Sequence, residues 1–260
     1  MLDLKQIASY YPEALRPFSH NLVVEYLQYK ILEIIYDSDF REKLWFMGGT
    51  AARIVYGNAR VSEDLDFDNR GLGPGELDQL AARVVKRMGL EGYAVESREV
   101  HDKAFTSYLR FPGLLHDLGI SGHRQEKVHI KLNAEPQGFP YRPEKVILNR
   151  FDVFIRINAV PIDVLLAQKI AAVFGRRRPM GRDFYDVVFL LGKTEPDYSY
   201  LKDKLAIVGA ADLRSRLIDK CDGLDMKALA ADVRPFLFTP GDAKRVLLFR
   251  DYIDSRLHSS

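Results

Sequence analysis

The chain has 260 residues, of which 47% are hydrophobic and 28% are charged, and its formal net charge is +2. This is enough apolar sequence for one large or two modest globular domains, and it excludes an intrinsically disordered protein. The net charge is too small to indicate nucleic-acid binding without a local basic patch. The single cysteine, Cys221, excludes an intrachain disulfide and a cysteine-based zinc site, as in a reducing compartment. Neither a signal-peptide pattern nor an apolar run of membrane-spanning length is present, so we expect a soluble, cytoplasmic protein.

Helix and strand patterns alternate through the first 160 residues. Apolar residues recur at helical spacing in 20–38, and short apolar runs or alternating patterns mark strands further on. The first predicted elements are a helix at 20–38, a strand at 43–49, a helix at 50–57, a strand at 63–69 and a helix at 73–90. The next region is rich in strand patterns, at 93–100, 105–111, 127–135 and 145–157.

The sequence changes to helical patterns from Pro161 onward. The predicted helices lie at 161–176, 181–192, 197–209, 211–220, 226–234 and 241–256. A mixed half therefore precedes a helical half, and we predict an α+β protein. Its expected domains are an α/β domain at 1–160, which includes N-terminal helices, and a helical domain at 161–260.

Three aspartates alternate along the predicted strand at 63–69. Asp64, Asp66 and Asp68 should share one face of this strand, while Leu65 and Phe67 point toward the core. Aspartate is depleted in strands and like charges on one face repel, so a cation should compensate them. Mg²⁺ takes oxygen ligands and is typically held by one or two carboxylates plus substrate phosphates. The alternative is an edge strand whose acids are simply solvated.

Two glycines, Gly48 and Gly49, stand where the strand at 43–49 gives way to a helix. Without Cβ atoms, backbone N–H groups can approach an anion there, and a helix N-terminus favours phosphate. Thr50 adds a hydroxyl. A phosphate cradle followed by metal-binding carboxylates suits nucleotidyl transfer, in which two ions stabilise the attacking and leaving oxygens. An ordinary turn would explain the glycines as well.

The stretch GGTAARIVYGNARVSEDLDFD, residues 48–68, resembles the first motif of AbiEii/AbiGii-type toxin nucleotidyltransferases. That family includes the MenT toxins and belongs to the DNA polymerase β-like superfamily. The resemblance implies a polymerase β-like nucleotidyltransferase domain with a mixed sheet and flanking helices, followed by a helical half. It also implies catalytic carboxylates that bind Mg²⁺ or Mn²⁺, at Asp64 and Asp66. The nucleotide-binding residues implied are Gly48, Gly49, Thr50, Arg60, Ser62 and Arg182.

A second segment fits the same family. Lys169 falls within the apolar stripe of the helix predicted at 161–176, where a lysine is costly unless it meets an anion or snorkels to water. Asp183 and Asp186 open the next helix, where capping alone could explain Asp183. The combined string resembles later motifs of the family, which implies that Lys169 neutralises triphosphate charge. It further implies that Asp183 positions the nucleotide or the attacking group, and that the helical domain contributes to the active-site cleft.

One part of the family pattern is missing. Polymerase β-like enzymes usually take a third carboxylate from a strand beside the Asp-x-Asp strand, and the candidate strand carries Lys131, Asn133 and Glu135 on one face. Family members often have an acid where this chain has Asn133. Either Glu135 substitutes, or two carboxylates suffice, or catalysis is weakened. Pro136 argues against Glu135, because it should end the strand.

The leading hypothesis is a metal-dependent nucleotidyltransferase acting as the toxin of a bacterial toxin–antitoxin or phage-defence pair. By the resemblance, it transfers a nucleoside monophosphate from an NTP to tRNA or another RNA, and a cognate antitoxin is an expected partner. A basic cluster at 176–178 suits a triphosphate or an RNA backbone, and equally a solvated loop. The alternatives are a catalytically reduced NTP- or RNA-binding protein and an enzyme that modifies a protein hydroxyl.

Overall fold

The computed structural model describes residues 2–101 and 105–257, which group into two compact units. The first, here called the sheet unit, comprises the described residues up to 51 together with 62–138 and 142–160. The second, the helical unit, comprises 52–61, 139–141 and the described residues from 161 onward. Residues 52–61 belong to the helical unit because Arg60 pairs with Leu237 in an antiparallel bridge, and the Val61 N–H donates to the Phe236 carbonyl (2.7 Å).

Within the described residues, seven strands form one mixed sheet in the order β3-β4-β5-β2-β1-β7-β6. Strand β2 is antiparallel to β1 and parallel to β5, while β1 is parallel to β7. The aspartate-bearing strand β2 is therefore central. The strands are β1 (Leu44–Met47), β2 (Leu65–Asn69), β3 (Glu96–His101), β4 (Phe105–Pro112), β5 (Lys127–Glu135), β6 (Glu144–Arg150) and β7 (Val153–Ala159).

Helices cover one face of this sheet. The main ones are α2, which packs on β7 and β5, and α4, which packs on β3 and β4 and also touches α2. Leu65 and Phe67 are fully buried, and the ring of Phe67 lies 5.5 Å from that of Phe46. The other face of β2 carries Asp66 and Asp68, and we call it the acidic face. Helices that begin in the sheet unit are α1 (Leu4–Ser9), α2 (Ser19–Tyr36), α3 (Gly48–Ile54), α4 (Pro74–Leu90) and α5 (Leu114–Asp117).

The helical unit is built from short and medium helices around a core that includes Leu165, Phe184 and Phe249. They are α6 (Ile162–Gly175), α7 (Gly181–Leu191), α8 (Tyr198–Leu205), α9 (Ala210–Asp222), α10 (Met226–Val233), α11 (Lys244–Leu247) and α12 (Phe249–Arg256). No helix in the described part of the chain has both the length and the apolar character needed to cross a membrane.

The α+β class is confirmed, but several element boundaries differ from those predicted. The segment 145–157 is a hairpin rather than one strand, because Phe151 turns the chain with a positive φ of 57°. The helix predicted at 241–256 breaks at Leu248 (φ −95°, ψ 14°). This break leaves Leu248 exposed while Val246 and Phe249 are buried. Helices α1 and α5 were not predicted.

Candidate active site

The turn from β1 into α3 lies against Asp66. Gly48 has a φ of +80°, a conformation that favours glycine. A Cβ atom at this position would lie only 2.8 Å from the Asp66 Cβ and 3.0 Å from its Cγ. Glycine is therefore required at position 48, because any side chain would displace the Asp66 carboxyl group.

The segment in front of β2 is fixed by two hydroxyls. The buried Thr50 hydroxyl donates to the Asp64 carbonyl oxygen and hydrogen-bonds with Ser62 Oγ (2.9 Å). From α2, the Gln28 side chain donates to the Ser62 carbonyl oxygen (2.9 Å). Asp64 is exposed and immediately precedes β2, whereas Asp66 is half-buried within it. Thr50 and Ser62, predicted as nucleotide contacts, thus hold the segment that carries Asp64.

Asn133 is the direct neighbour of Asp66 on the sheet. Strand β5 pairs in parallel with β2, so that Asp66 stands beside Asn133 and Asp68 beside Glu135. The Thr106 hydroxyl donates to Asn133 Oδ1 (3.1 Å). Glu135 is exposed and ends β5. The position next to Asp66 therefore holds a neutral amide oxygen, and the only acid on this face of β5 lies one pleat away.

Asp68 has a different environment from the other two aspartates. It is fully buried, and its carboxylate accepts hydrogen bonds from the Gln137 backbone N–H (2.9 Å) and from Arg70 Nη1 (3.3 Å). The Arg70 guanidinium also stacks over the Trp45 ring at 4.3 Å. The charge of Asp68 is thus compensated inside the sheet unit, which sets Asp68 apart from the pair predicted to bind metal.

The donor set around Asp66 fits a hard divalent cation. Asp64, just before β2, and Asp66, within it, offer carboxylate oxygens two residues apart in sequence, and Asn133 offers an amide oxygen beside Asp66. Mg²⁺ is commonly held by one or two carboxylates and completes its shell with water and phosphate oxygens. No group of three or more His, Cys, Asp or Glu side chains that could hold a metal occurs among the described residues.

A second cluster lies within the helical unit, around the fully buried Asp186. Arg60 donates to both of its carboxylate oxygens (2.6 Å each), and the Asn58 amide donates to Oδ1 (2.8 Å). The Lys169 ammonium lies 2.8 Å from Oδ2. Burial opposes ionisation of Asp186, but the charges of Arg60 and Lys169 outweigh it and lower the pKa of Asp186 to about 2. We call this the Asp186 network.

Lys169 and Asp183 extend the network. The Lys169 side chain is 12% exposed, so it does not snorkel to water, and its ammonium lies 3.7 Å from Asp183 Oδ1. Arg176 Nε lies 2.6 Å from the other oxygen of Asp183. Asp183 is buried and does not cap α7, whose N-cap is Met180. The anions that compensate Lys169 are therefore carboxylates of the chain itself.

The two arginines predicted to bind nucleotide have different surroundings. The side chain of Arg60 is 3% exposed and donates to Asp186 and to the Val61 carbonyl oxygen (2.8 Å), so we assign it a structural role rather than a nucleotide contact. Arg182 is only half-buried, and its guanidinium lies over the Phe236 ring at 4.2 Å. The roles of Asn58 and Asp186 were not predicted. Asp186 follows Asp183 by three residues on one helix, and this spacing indicates that the two carboxylates lie on neighbouring positions of the helix surface.

Solved structures of nucleotidyltransferases share this fold. A protein from H. pylori, assigned as a nucleotidyltransferase, is 20% identical with a TM-score of 0.57, over 92% of this chain and 96% of that one. MenT4, a nucleotidyltransferase toxin from Mycobacterium tuberculosis H37Rv, is 17% identical with a TM-score of 0.56, over 98% of this chain and 90% of that one. Identities this low establish the fold alone.

The sequence itself identifies the family. Residues 30–251 match the family described as nucleotidyl transferase AbiEii toxin, Type IV TA system. The chain belongs to this family, and it is a nucleotidyltransferase toxin of a type IV toxin–antitoxin system. The resemblance seen in the motifs is confirmed, and membership implies an antitoxin partner. No curated protein sequence gave a significant match.

Proposed function

We propose that this toxin transfers a nucleoside monophosphate from an NTP to tRNA or another RNA, using Mg²⁺ or Mn²⁺ at Asp64 and Asp66. One observation carries the proposal: the Asp66 carboxyl group lies against the Gly48 backbone, where no other residue would fit. The carboxylate oxygens of Asp66 thus lie next to a glycine turn that has no side chains to block a ligand. This combination suits a metal-bound triphosphate.

The chemistry follows from these groups. An acceptor hydroxyl attacks the α-phosphorus, the bond to pyrophosphate breaks, and the hydroxyl proton passes to a base. A divalent ion, when bound, supplies Lewis-acid stabilisation of the phosphate charge. The Gly48–Gly49 backbone lets phosphate approach closely, and Thr50 holds the segment that carries Asp64.

The remaining predicted groups lie in the helical unit. Lys169 is predicted to neutralise triphosphate charge, and Asp183 to position the nucleotide or to act as the base. The Asp186 network fixes the positions of both groups, because Lys169 forms a 2.8 Å ion pair with Asp186, and Lys169 and Arg176 in turn hold Asp183. Arg182, half-buried over Phe236, is the arginine that we retain as a nucleotide contact.

A specific observation favours one alternative. The sheet register places Asn133 beside Asp66, where a third carboxylate would complete the metal site. A neutral amide in place of this carboxylate would weaken metal binding, which favours a protein that binds NTP or RNA with reduced catalysis. An enzyme that modifies a protein hydroxyl has the same metal site and differs only in its acceptor.

Labelling separates these functions. The protein is incubated with Mg²⁺ and each α-labelled NTP in turn, together with either total tRNA or a bacterial lysate. We expect label in tRNA or another RNA. Label in a protein would replace the RNA acceptor, and binding of NTP without any labelling would support the catalytically reduced alternative.

Gly49→Val is expected to weaken NTP binding in the presence of Mg²⁺, because a branched side chain would stand where backbone must approach phosphate. Calorimetric titration with each NTP measures the affinity. Gly89→Val in α4 is the matched control, since a Cβ atom there meets no neighbour within 4 Å. Unchanged NTP affinity in a folded Gly49→Val variant would show that the glycine pair is only a turn.

Lys169→Met is expected to reduce transfer more than stability. Asp186 keeps Arg60 and Asn58 as partners, and Asp183 keeps Arg176, so the fold should survive with a modest loss. A charge-assisted contact to phosphate contributes roughly 1.5–3 kcal/mol, so we expect a transfer rate at least about tenfold lower. Chemical denaturation and initial rates provide the two readouts.

The control for Lys169→Met is Lys127→Met, which removes a more exposed lysine paired with Glu96 (3.0 Å). This control should change neither the transfer rate nor the free energy of unfolding appreciably. If Lys169→Met binds NTP and transfers nucleotide as the wild type does, Lys169 serves only to pair with the carboxylates around it.

A further inference from the structure

The β6–β7 hairpin presents apolar and basic side chains together on one surface. Phe154 is 70% exposed and Ile147 is 53% exposed, and they lie on the two paired strands of the hairpin. Lys145 and Arg156 are exposed beside them, and Ile147 pairs directly across the hairpin with Arg156. We call these four residues the hairpin surface.

The hairpin surface lies on the acidic face of the sheet. Phe46 and Ala159 are register partners and are both fully buried, so they point to the helix-covered face. Side chains alternate along each strand, so Met47 and Arg156 point to the opposite face. Met47 is in turn the partner of Asp66. Asp66 and the hairpin surface therefore share one face of one sheet.

The separation between them suits an extended ligand. Strand β7 is two strands from β2, and β6 is three strands away. Neighbouring strands are about 4.8 Å apart, so the hairpin surface is displaced from Asp66 by roughly 10–15 Å across the sheet. The strand register adds a displacement along the strands, because Asp66 is level with residue 160 while Arg156 and Phe154 come earlier in β7, by about 13 and 20 Å at about 3.3 Å per residue. The direct separation is therefore roughly 16–22 Å, which about five to seven stacked nucleotides, at about 3.4 Å each, would span.

A cavity of about 350 Å³ adjoins the hairpin surface. This volume lies at the lower end of the range for small-ligand sites. Among its charged lining groups there are three cations and one acid, and the acid, Glu42, accepts a hydrogen bond from the Asn158 amide (3.1 Å). The polar and aromatic lining residues that matter here are Arg41, Glu42, Lys145, Phe154, Arg156 and Asn158.

We propose that the hairpin surface binds a single-stranded segment of the acceptor RNA and so directs its hydroxyl toward Asp64 and Asp66; this rests on the proposed function above. An exposed aromatic ring gives a base a stacking platform, and flanking cations hold the neighbouring phosphates. Phe154 provides the ring, and Lys145 and Arg156 provide the cations. The cavity takes a base or phosphate next to the ring.

RNA fits this surface better than a protein partner. The core of a protein interface is depleted of charged groups, whereas Phe154 and Ile147 are flanked by Lys145 and Arg156. The excess of cations attracts a polyanion such as RNA. The acceptor end of that RNA must also reach the proposed metal site at Asp64 and Asp66. Both requirements are met by one extended RNA strand.

The test uses two variants and a matched control. The variants are Lys145→Glu/Arg156→Glu, which reverses both charges, and Phe154→Ala, which removes the stacking ring. The control is Lys5→Glu/Arg124→Glu, which reverses two exposed cations elsewhere in the sheet unit. The probes are total tRNA in the transfer reaction and a labelled 12-nucleotide single-stranded RNA in fluorescence anisotropy, each over a range of salt concentrations.

We expect each hairpin variant to raise the KM for tRNA and the Kd for the oligonucleotide by about tenfold or more, with kcat and NTP affinity near wild type. The charge-reversal pair should also flatten the salt dependence of binding, because two phosphate contacts are lost. The control should behave as the wild type does. Equal RNA affinity in wild type and hairpin variants would overturn the proposal.

Failure of this proposal can be separated from failure of the proposed function. If the wild type labels tRNA and the hairpin variants have an unchanged KM, the surface is wrong and the function stands. If the wild type labels no RNA but the hairpin variants lose RNA binding, the surface stands and the acceptor reaction is wrong. Loss of a bound protein partner with unchanged RNA affinity would identify a protein interface instead.

Discussion

Asp66→Ala is expected to lower nucleotidyl transfer by a factor on the order of 10³ or more while the protein stays folded. The carboxylate is one of two proposed metal ligands, and loss of a group that stabilises phosphate charge in the transition state has effects of this size. Stability should be unchanged or slightly higher, because like charges along one strand face repel. Initial transfer rates, thermal unfolding and Mn²⁺ binding by electron paramagnetic resonance provide the readouts.

Glu63→Ala is the matched control for this variant. Glu63 is an exposed acid directly before Asp64, outside β2, and has no proposed role. The control should retain both transfer and Mn²⁺ binding. Transfer at the wild-type rate by a folded Asp66→Ala protein would refute the metal assignment, whatever the acceptor.

Asp186→Ala is expected to produce the largest loss of stability, about 3–5 kcal/mol. The substitution leaves the Arg60 guanidinium buried with no carboxylate partner, and it removes the nearer of the two acids beside Lys169. Chemical denaturation measures the free energy of unfolding. Arg60→Met should show a loss in the same direction, and the double variant should lose less than the sum of the two.

The surface pair Arg250–Asp222 (3.0 Å) is the control, because both side chains are about half exposed. Breaking it by Arg250→Met should barely move the denaturation midpoint. If Asp186→Ala unfolds no more easily than this control, the Asp186 network does not stabilise the helical unit.

The same network predicts a dependence of stability on pH. Arg60 and Lys169 hold the pKa of Asp186 at about 2, below its ordinary value of 3.8. The stability contributed by the ionised carboxylate is therefore fully present above about pH 4 and is lost as the pH falls toward 2. The difference in unfolding free energy between wild type and Asp186→Asn should narrow over this interval.

Local periodicity was sufficient for much of the fold. The alternation of Asp66 and Asp68 with Leu65 and Phe67 follows from the two-residue period of a strand, and the burial of the apolar pair confirms it. The motif around the aspartates, residues 48–68, indicated the family because its residues are contiguous in sequence and can be compared without knowing the fold. The turn at Phe151 was missed because its positive φ is rare outside glycine, asparagine and aspartate.

Contacts between distant segments could not be predicted in this way. Arg60 and Asp186 are 126 residues apart, and no periodic pattern links an arginine in a loop to an aspartate within a helix. The apolar stripe around Lys169 predicts that its ammonium either meets an anion or snorkels to water, and the structure shows that it meets two carboxylates of the protein. Its predicted role toward the triphosphate, like those of Asp183 and the glycine pair, stays a prediction.

Metal-dependent nucleotidyl transfer to RNA is tested by measuring transfer of label from each α-labelled NTP to total tRNA. The reaction is run with wild type and with Asp64→Ala/Asp66→Ala, in Mg²⁺ and in a chelator. We predict that the wild type labels RNA only when Mg²⁺ or Mn²⁺ is present, and that the folded double variant labels none. RNA labelling that persists in the chelator, or that survives loss of both carboxylates, would contradict the proposed metal-dependent nucleotidyl transfer.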